Sequence, residues 1–169
     1  MRTKKLLSIL LMTALILSSA ISQDNTALAA TTVKVDRVVD GDTFVTYING
    51  EKTRIRMIGV DTPESVHPDE SKNTKWGKKI SKWVKKQLTG KKVKLKYDKD
   101  KYDQYGRTLA YVYLGKSMFN KTLLKKGYAR AVYYAPNGKY RKAFNKLQAT
   151  AKKKKKGFWK DGYSSAFVK

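Results

Sequence analysis

The chain has 169 residues, 38 of them Lys or Arg against 13 Asp or Glu, which leaves a formal net charge of +25. It has no cysteine, so no disulfide supports it and no thiol is open to lipidation; a chain of this length must hold itself by burying one apolar core. The charge makes a polyanion the expected partner, without choosing between nucleic acid and an anionic membrane or cell-wall polymer.

Residues 1–29 read as a signal peptide. Arg2, Lys4 and Lys5 precede an apolar run over residues 6–17, and Ala27-Leu28-Ala29 precedes Ala30, the layout of a secretory leader. The run is shorter than the roughly 20 residues that span a bilayer. Cleavage near Ala29 or Ala30 and export, with the protein either free or retained at the cell surface, is therefore the expectation. An uncleaved anchor is the alternative, since polar residues over 18–26 blur the cleavage site. The leader contributes little of the charge, which belongs to residues 30–169, read as one domain.

Val33, Val35 and then Val38-Val39 predict a first strand, and Thr43-Phe44-Val45-Thr46-Tyr47-Ile48 a second. Asn49-Gly50 signals a two-residue hairpin, and residues 53–60 form a third strand. Pairing Ile48 with Glu51 sets Arg56 opposite Thr43, beside the Asp40-Gly41-Asp42-Thr43 turn; a slip of one residue would turn Arg56 to the other face. Residues 64–76 are polar and read as a surface loop. His67, the only histidine, lies there without a metal-ligand partner at suitable spacing and reads as a solvated loop residue. Trp76, Ile80, Trp83-Val84 and Leu88 then recur at helical spacing up to Gly90. Residues 92–97 predict a fourth strand, 98–106 a charged loop, and 108–114 a fifth strand. Residues 118–126 predict a second helix closed by Gly127, and 128–134 an extended segment. Tyr140, Phe144, Leu147 and Ala151 predict a last amphipathic helix that runs into the lysines at 152–156. The pattern is α+β: a five-stranded OB-type β-barrel with three α-helices.

Four short polar clusters stand out: Asp40-Gly41-Asp42-Thr43, Arg56, Asp61-Thr62-Pro63-Glu64 and Tyr105-Gly106-Arg107. Hard carboxylate oxygens can hold a divalent cation such as calcium. Two guanidiniums can grip a phosphate in forked geometry, and a further carboxylate can orient a water. Each cluster has a blander reading alone. Asp-Gly-Asp suits a turn, Asp61-Thr62-Pro63-Glu64 suits a helix start, and single arginines suit a solvated basic surface. Their co-occurrence in a chain poor in acidic residues favours a phosphodiesterase site.

Val39-Asp40-Gly41-Asp42-Thr43, the Arg54-x-Arg56 strand leading to Val60-Asp61-Thr62-Pro63-Glu64, and Asp103-x-Tyr105-Gly106-Arg107-x-Leu109-Ala110-Tyr111 resemble the staphylococcal nuclease (thermonuclease) family. Ala135-Pro136-Asn137 and the Lys-rich last helix ending in Trp159 follow in the same order, so the resemblance covers residues 32–159. It implies an OB-fold barrel and a secreted calcium-dependent nuclease that cleaves DNA and RNA to leave 3′-phosphates. It also implies roles. Asp42 and Asp61 become calcium ligands together with the Thr62 backbone carbonyl, and Asp40 and Thr43 support them from behind. Glu64 becomes the base or water-orienting group, Arg56 the donor to the phosphate, and Arg107 the donor near the leaving oxygen. Tyr105 becomes a nucleotide contact, joined by Tyr134 or alternatively Tyr133. Where the family has Tyr-x-Tyr before its Pro-Asn, this chain has adjacent Tyr133 and Tyr134, which on an extended segment point to opposite faces. Gln104 stands where the family often places a lysine near the terminal phosphate. The competing readings are a non-catalytic OB-fold nucleic-acid-binding module and a protein that binds anionic surfaces by charge alone. No feature points to an oligomer, so a monomer is the expectation.

Overall fold

In the computed structural model, which describes residues 30–167, strand β1 (Thr31–Val38) pairs antiparallel with β2 (Thr43–Ile48). The ladder slips between Val35 and Arg37, so Asp36 is an extra residue in β1. That bulge changes the parity of the strand, which is how Val33, Val35 and then Val38 all reach the core. The proposed leader, residues 1–29, lies outside the described residues.

Asn49 and Gly50 have φ of 52° and 83°, the left-handed pair that a tight two-residue hairpin needs. Strand β3 (Glu51–Met57) therefore pairs with β2 in the predicted register, Ile48 with Glu51 and Thr43 with Arg56. It ends at Met57, earlier than the alternation suggested. Gly59 turns the chain with φ of 75°, and a Cβ there would meet the Phe144 ring at 2.7 Å. A separate short strand, β4 (Val60–Asp61), follows.

Strand β5 (Lys92–Lys96) joins the other edge of β1, and β6 (Thr108–Leu114) pairs with β5. A parallel pairing of β3 with β6 closes the barrel. Five strands thus close on themselves, and β7 (Ser117–Met118) extends β6 at one side. Three helices complete the OB-type α+β fold: α1 (Lys75–Leu88), α2 (Phe119–Lys126) and α3 (Arg141–Lys153). The last helix stops at Lys153, short of the end of its lysine run. Of the segment 128–134 only β8 (Arg130–Ala131) is strand, paired antiparallel with β4. Among the described residues no helix is long and apolar enough to cross a membrane.

The loop before α1 returns on itself. Thr74 N donates to the Glu64 carbonyl at 3.0 Å, and the Thr74 hydroxyl caps α1 by accepting from Gly77 N at 2.9 Å. The helix therefore starts at Thr74, and Asp61-Thr62-Pro63-Glu64 is not a helix start. Gly77 is pressed against this junction, for an added Cβ would lie 1.8 Å from the Glu64 carbonyl oxygen. Backbone stands on both sides, so nothing flexible can yield. Gly77→Ala is expected to cost about 3 kcal/mol, as overpacking does in a tight contact, read as a lowered urea midpoint. An unchanged midpoint would mean that the loop and helix part freely.

Candidate active site

The Asp40 to Thr43 turn is tied by its own backbone: Val39 N and Asp40 N both donate to the Thr43 carbonyl, at 2.9 and 3.2 Å. Asp40 Oδ1 accepts from Asp42 N at 3.0 Å. Gly41 lets this turn lie against the loop after β4, since a Cβ would stand 2.6 Å from Thr62 Oγ1. The result is a buried Asp42, 4% exposed, with both oxygens engaged. Oδ1 accepts from the Thr43 hydroxyl at 3.1 Å; Oδ2 accepts from Thr62 N at 2.8 Å and Thr62 Oγ1 at 3.0 Å.

The hairpin register delivers Arg56 to this cluster. Its Nη1 ion-pairs with Asp42, and its Nη2 donates to Asp61 Oδ1 at 3.1 Å. Burial alone would lower the Arg56 pKa, but the charges of Asp42, Asp61 and Asp40 outweigh it and hold the guanidinium above its ordinary value. Asp40 shows the opposite balance. Burial first, then the Asp42 charge, pushes its carboxyl up to about 7.

Glu64 reaches solvent at the edge of the cluster. Partial burial, followed by the charges of Asp42 and Asp61, raises its carboxyl above the ordinary range. His67 is tied into the same loop and is not merely solvated: its ring Nδ1 accepts from Asp69 N at 3.0 Å. Asn73 bonds both its backbone N–H and its carbonyl.

Arg107 arrives from the loop before β6. Asp103 Oδ1 accepts from the backbone N of Tyr105 at 3.0 Å and of Arg107 at 2.9 Å, and its Oδ2 accepts from Arg107 Nε at 2.7 Å. Burial would raise the Asp103 carboxyl, yet these bonds from Arg107 prevail and hold it below the usual carboxylate range. The Arg107 guanidinium lies 5.3 Å from the Tyr105 ring centroid. A cleft of about 470 Å³ is lined by Arg56, Tyr102, Tyr105, Arg107, Tyr134 and Asn137 among others. Asn137 joins its two walls, accepting from Asp100 N and donating to the Asp100 carbonyl, both at 2.8 Å. Tyr134 is on this cleft. Tyr133 instead lies under the Arg141 guanidinium, 4.2 Å from ring centroid to charge, and borders a different hollow.

Asp40, Asp42, Thr43, Arg56, Asp61 and Thr62 thus form one cluster, Arg107, Tyr105 and Tyr134 line the cleft, and Arg56 belongs to both. Three contributors had no role assigned to them from sequence, although two of them, Asp103 and Asn137, stand in the motifs that carry the resemblance. Arg130 Nε donates to Asp61 Oδ2 at 2.7 Å, a partnership set by the β4–β8 pairing of Asp61 with Arg130. Asp103 and Asn137 shape the cleft; the Asp-x-Tyr-Gly-Arg spacing suits an Asx turn at the former.

Among the described residues no group of three or more His, Asp or Glu side chains is arranged to hold a metal ion. The chemistry of the cluster nevertheless fits a hard cation. Asp40, Asp42 and Asp61 all act on one guanidinium, and the surplus negative charge is what helps to raise Asp40. Carboxylate and carbonyl oxygens are the donors that calcium prefers.

A closed OB-type barrel here joins an acidic cluster to an arginine-lined cleft, an arrangement that suits a phosphodiesterase, and the comparison with known proteins supports that class. The family model described as Staphylococcal nuclease homologue matches residues 54–161. The thermonuclease of Staphylococcus hyicus is 51% identical over 128 residues, covering 76% of this chain and 75% of that protein. The thermonuclease of Staphylococcus intermedius is 49% identical over 125 residues, 74% of each. Endonuclease YncB of Bacillus subtilis (strain 168) is 42% identical over 134 residues, 78% of this chain and 63% of that protein. The chain belongs to the staphylococcal nuclease family.

Proposed function

We propose that this member of the family is an exported, monomeric, calcium-dependent nuclease that hydrolyses phosphodiester bonds of DNA and RNA and leaves 3′-phosphates. The observation that carries the reading is the position of Arg56, which touches the carboxylate cluster and also lines the cleft. The apolar leader supports export, and the net charge of +25 supports a polyanionic substrate. The same charge would favour retention at an anionic cell surface.

Asp42, Asp61 and the Thr62 carbonyl would hold calcium, which when bound polarises the phosphate and offsets the charge that develops on it. Glu64 takes the proton of the attacking water. The water oxygen joins phosphorus, the P–O5′ bond breaks, and the 5′ oxygen departs with the bonding pair and takes a proton from solvent water to become a hydroxyl, leaving the phosphate on the 3′ side; Glu64 returns its proton to solvent. Arg56 donates to the phosphate oxygens as negative charge grows, and Arg107 donates beside the leaving oxygen. Such placed donors act most strongly in a site from which water is excluded. Thr43 and Asp40 hold Asp42 and its turn in place, while Tyr105 and Tyr134 receive the nucleotide.

The test is release of acid-soluble nucleotides from single-stranded DNA with calcium, with magnesium alone and with a calcium chelator. Hydrolysis only with calcium is expected. Hydrolysis with magnesium alone would overturn the calcium assignment. Binding without hydrolysis by folded protein under all three conditions would overturn the enzyme and leave an OB-fold binding module.

A further inference from the structure

The catalytic cleft does not end at Arg107. Tyr102, Tyr105 and Arg107 also line a second, contiguous groove of about 650 Å³. It is lined by the end of the hairpin, with Lys52 and Arg54 of β3 and Arg37 of β1 among its residues. In the observed register Thr43 faces Arg56, Val45 faces Arg54 and Tyr47 faces Lys52, and cross-strand partners share a face. Arg56, Arg54 and Lys52 therefore project on one side of β3 at alternate positions, with about 6.6 Å between successive Cα atoms. Arg37 of β1 is paired with Val45, which is itself paired with Arg54, so Arg37 lies level with Arg54 across β2 and flanks the row on the same face. Arg37, Lys52 and Arg54 are exposed, and Glu51 is the only acidic residue in the groove lining.

The other wall is aromatic. Tyr102 is 58% exposed and Tyr105 74% exposed, and Lys101 lies 5.5 Å from the Tyr102 ring centroid. These residues lie in the loop that leads into β6, whose parallel pairing with β3 sets that loop beside the row of charges. Cations at alternate strand positions facing exposed rings are the two halves of a single-strand site, one for phosphates and one for bases. Nothing comparable is needed to bind a mononucleotide at Arg56 and Arg107.

From this geometry we infer that the outer face of the hairpin is a binding track for the substrate strand beyond the scissile phosphate, with Arg54 and Lys52 contacting successive phosphates, Arg37 flanking them across β2 and Tyr102 stacking a base. The inference rests on the proposed nuclease reading and adds the path of the strand beyond the cleft and the residues of this chain that hold it. The alternate-residue stride of β3 suits an unwound backbone. OB-fold barrels offer the same face of their second and third strands to oligonucleotides.

The experiment measures binding of a labelled thymidine dinucleotide, and of an oligothymidylate long enough to run past the cleft, to the full chain in chelator at several salt concentrations. Wild type is compared with K52Q/R54Q and with K116Q/K125Q, which removes the same charge from exposed lysines outside the groove. K52Q/R54Q is expected to weaken the long strand about tenfold and to reduce its salt slope by about 1.4, at about 0.7 per phosphate contact on a single strand. The dinucleotide and K116Q/K125Q should bind as in wild type. Equal weakening by K116Q/K125Q would reduce the effect to net charge and overturn the track, as would a K52Q/R54Q protein that binds the long strand normally. Y102A should weaken the long strand about tenfold by loss of stacking, and normal binding would remove Tyr102 from the track. Because the chelator prevents turnover, these outcomes decide the track even if calcium added to the wild type brings no hydrolysis, a result that would sink the nuclease reading alone.

Discussion

Arg56→Met is expected to destabilise the protein by about 3–5 kcal/mol, the cost of removing one partner from a buried ion pair. The Arg56 side chain is 13% exposed and is shared between Asp42 and Asp61. Those two do not suffer equally from its loss. Asp61 keeps Arg130. Asp42 keeps only the neutral donors of Thr43 and Thr62, with the Asp40 carboxyl still bonded to its backbone. The penalty should therefore concentrate on Asp42. In urea unfolding with chelator, Asp42→Asn placed in the Arg56→Met background should recover part of the loss, whereas Asp61→Asn should recover less. Calcium added to Arg56→Met should restore stability in proportion to its occupancy, because a ligand that binds only the folded state shifts the equilibrium. A variant as stable as wild type would show that the carboxylates need no internal cation. Activity should fall by a further measure, about 10²–10³ in kcat, as for other removed transition-state donors.

That prediction depends on a register legible before any coordinates. Asn49-Gly50 specifies a two-residue turn through local chemistry, and once the turn is set, counting along the ladder puts Arg56 across from Thr43. The barrel and three helices were legible for the same reason, since periodicity and turn residues are local signals. What escaped is non-local. Arg130 reaches Asp61 across 69 residues through a strand pair only two residues long on each side, too short to leave a periodic trace. Asn137 ties its segment to Asp100 by side-chain bonds that imitate a ladder. The bulge at Asp36 was visible only as a change of parity between Val35 and Val38. Thr62 is instructive in another way. The resemblance assigns a role to its carbonyl, while its N–H and hydroxyl both serve Asp42, so this one residue links the loop after β4 to the turn before β2. The adjacent tyrosines were separable in principle by strand alternation, but which of them meets the cleft is decided by packing, with Tyr133 held under Arg141.

Glu64→Gln should produce the contrasting outcome, a loss of about 10²–10⁴ in kcat, the range for removing a general base, in a protein of undiminished stability. The side chain is exposed and its amide isostere keeps the same shape. Its carboxyl is raised by burial and by Asp42 and Asp61, so at neutral pH the charged form is disfavoured in the folded state relative to the unfolded one. Neutralising it should then leave the urea midpoint unchanged or slightly higher. Strand binding should also persist, because neither the cleft arginines nor the β3 row is touched. Single-turnover hydrolysis of DNA with saturating calcium, alongside urea unfolding and oligothymidylate binding, separates these quantities. Full activity in Glu64→Gln would remove Glu64 from the chemistry and leave the proton of the attacking water to solvent. A loss of stability matching that of Gly77→Ala would instead assign Glu64 to holding the loop against α1, through more than the backbone carbonyl it already presents to Thr74.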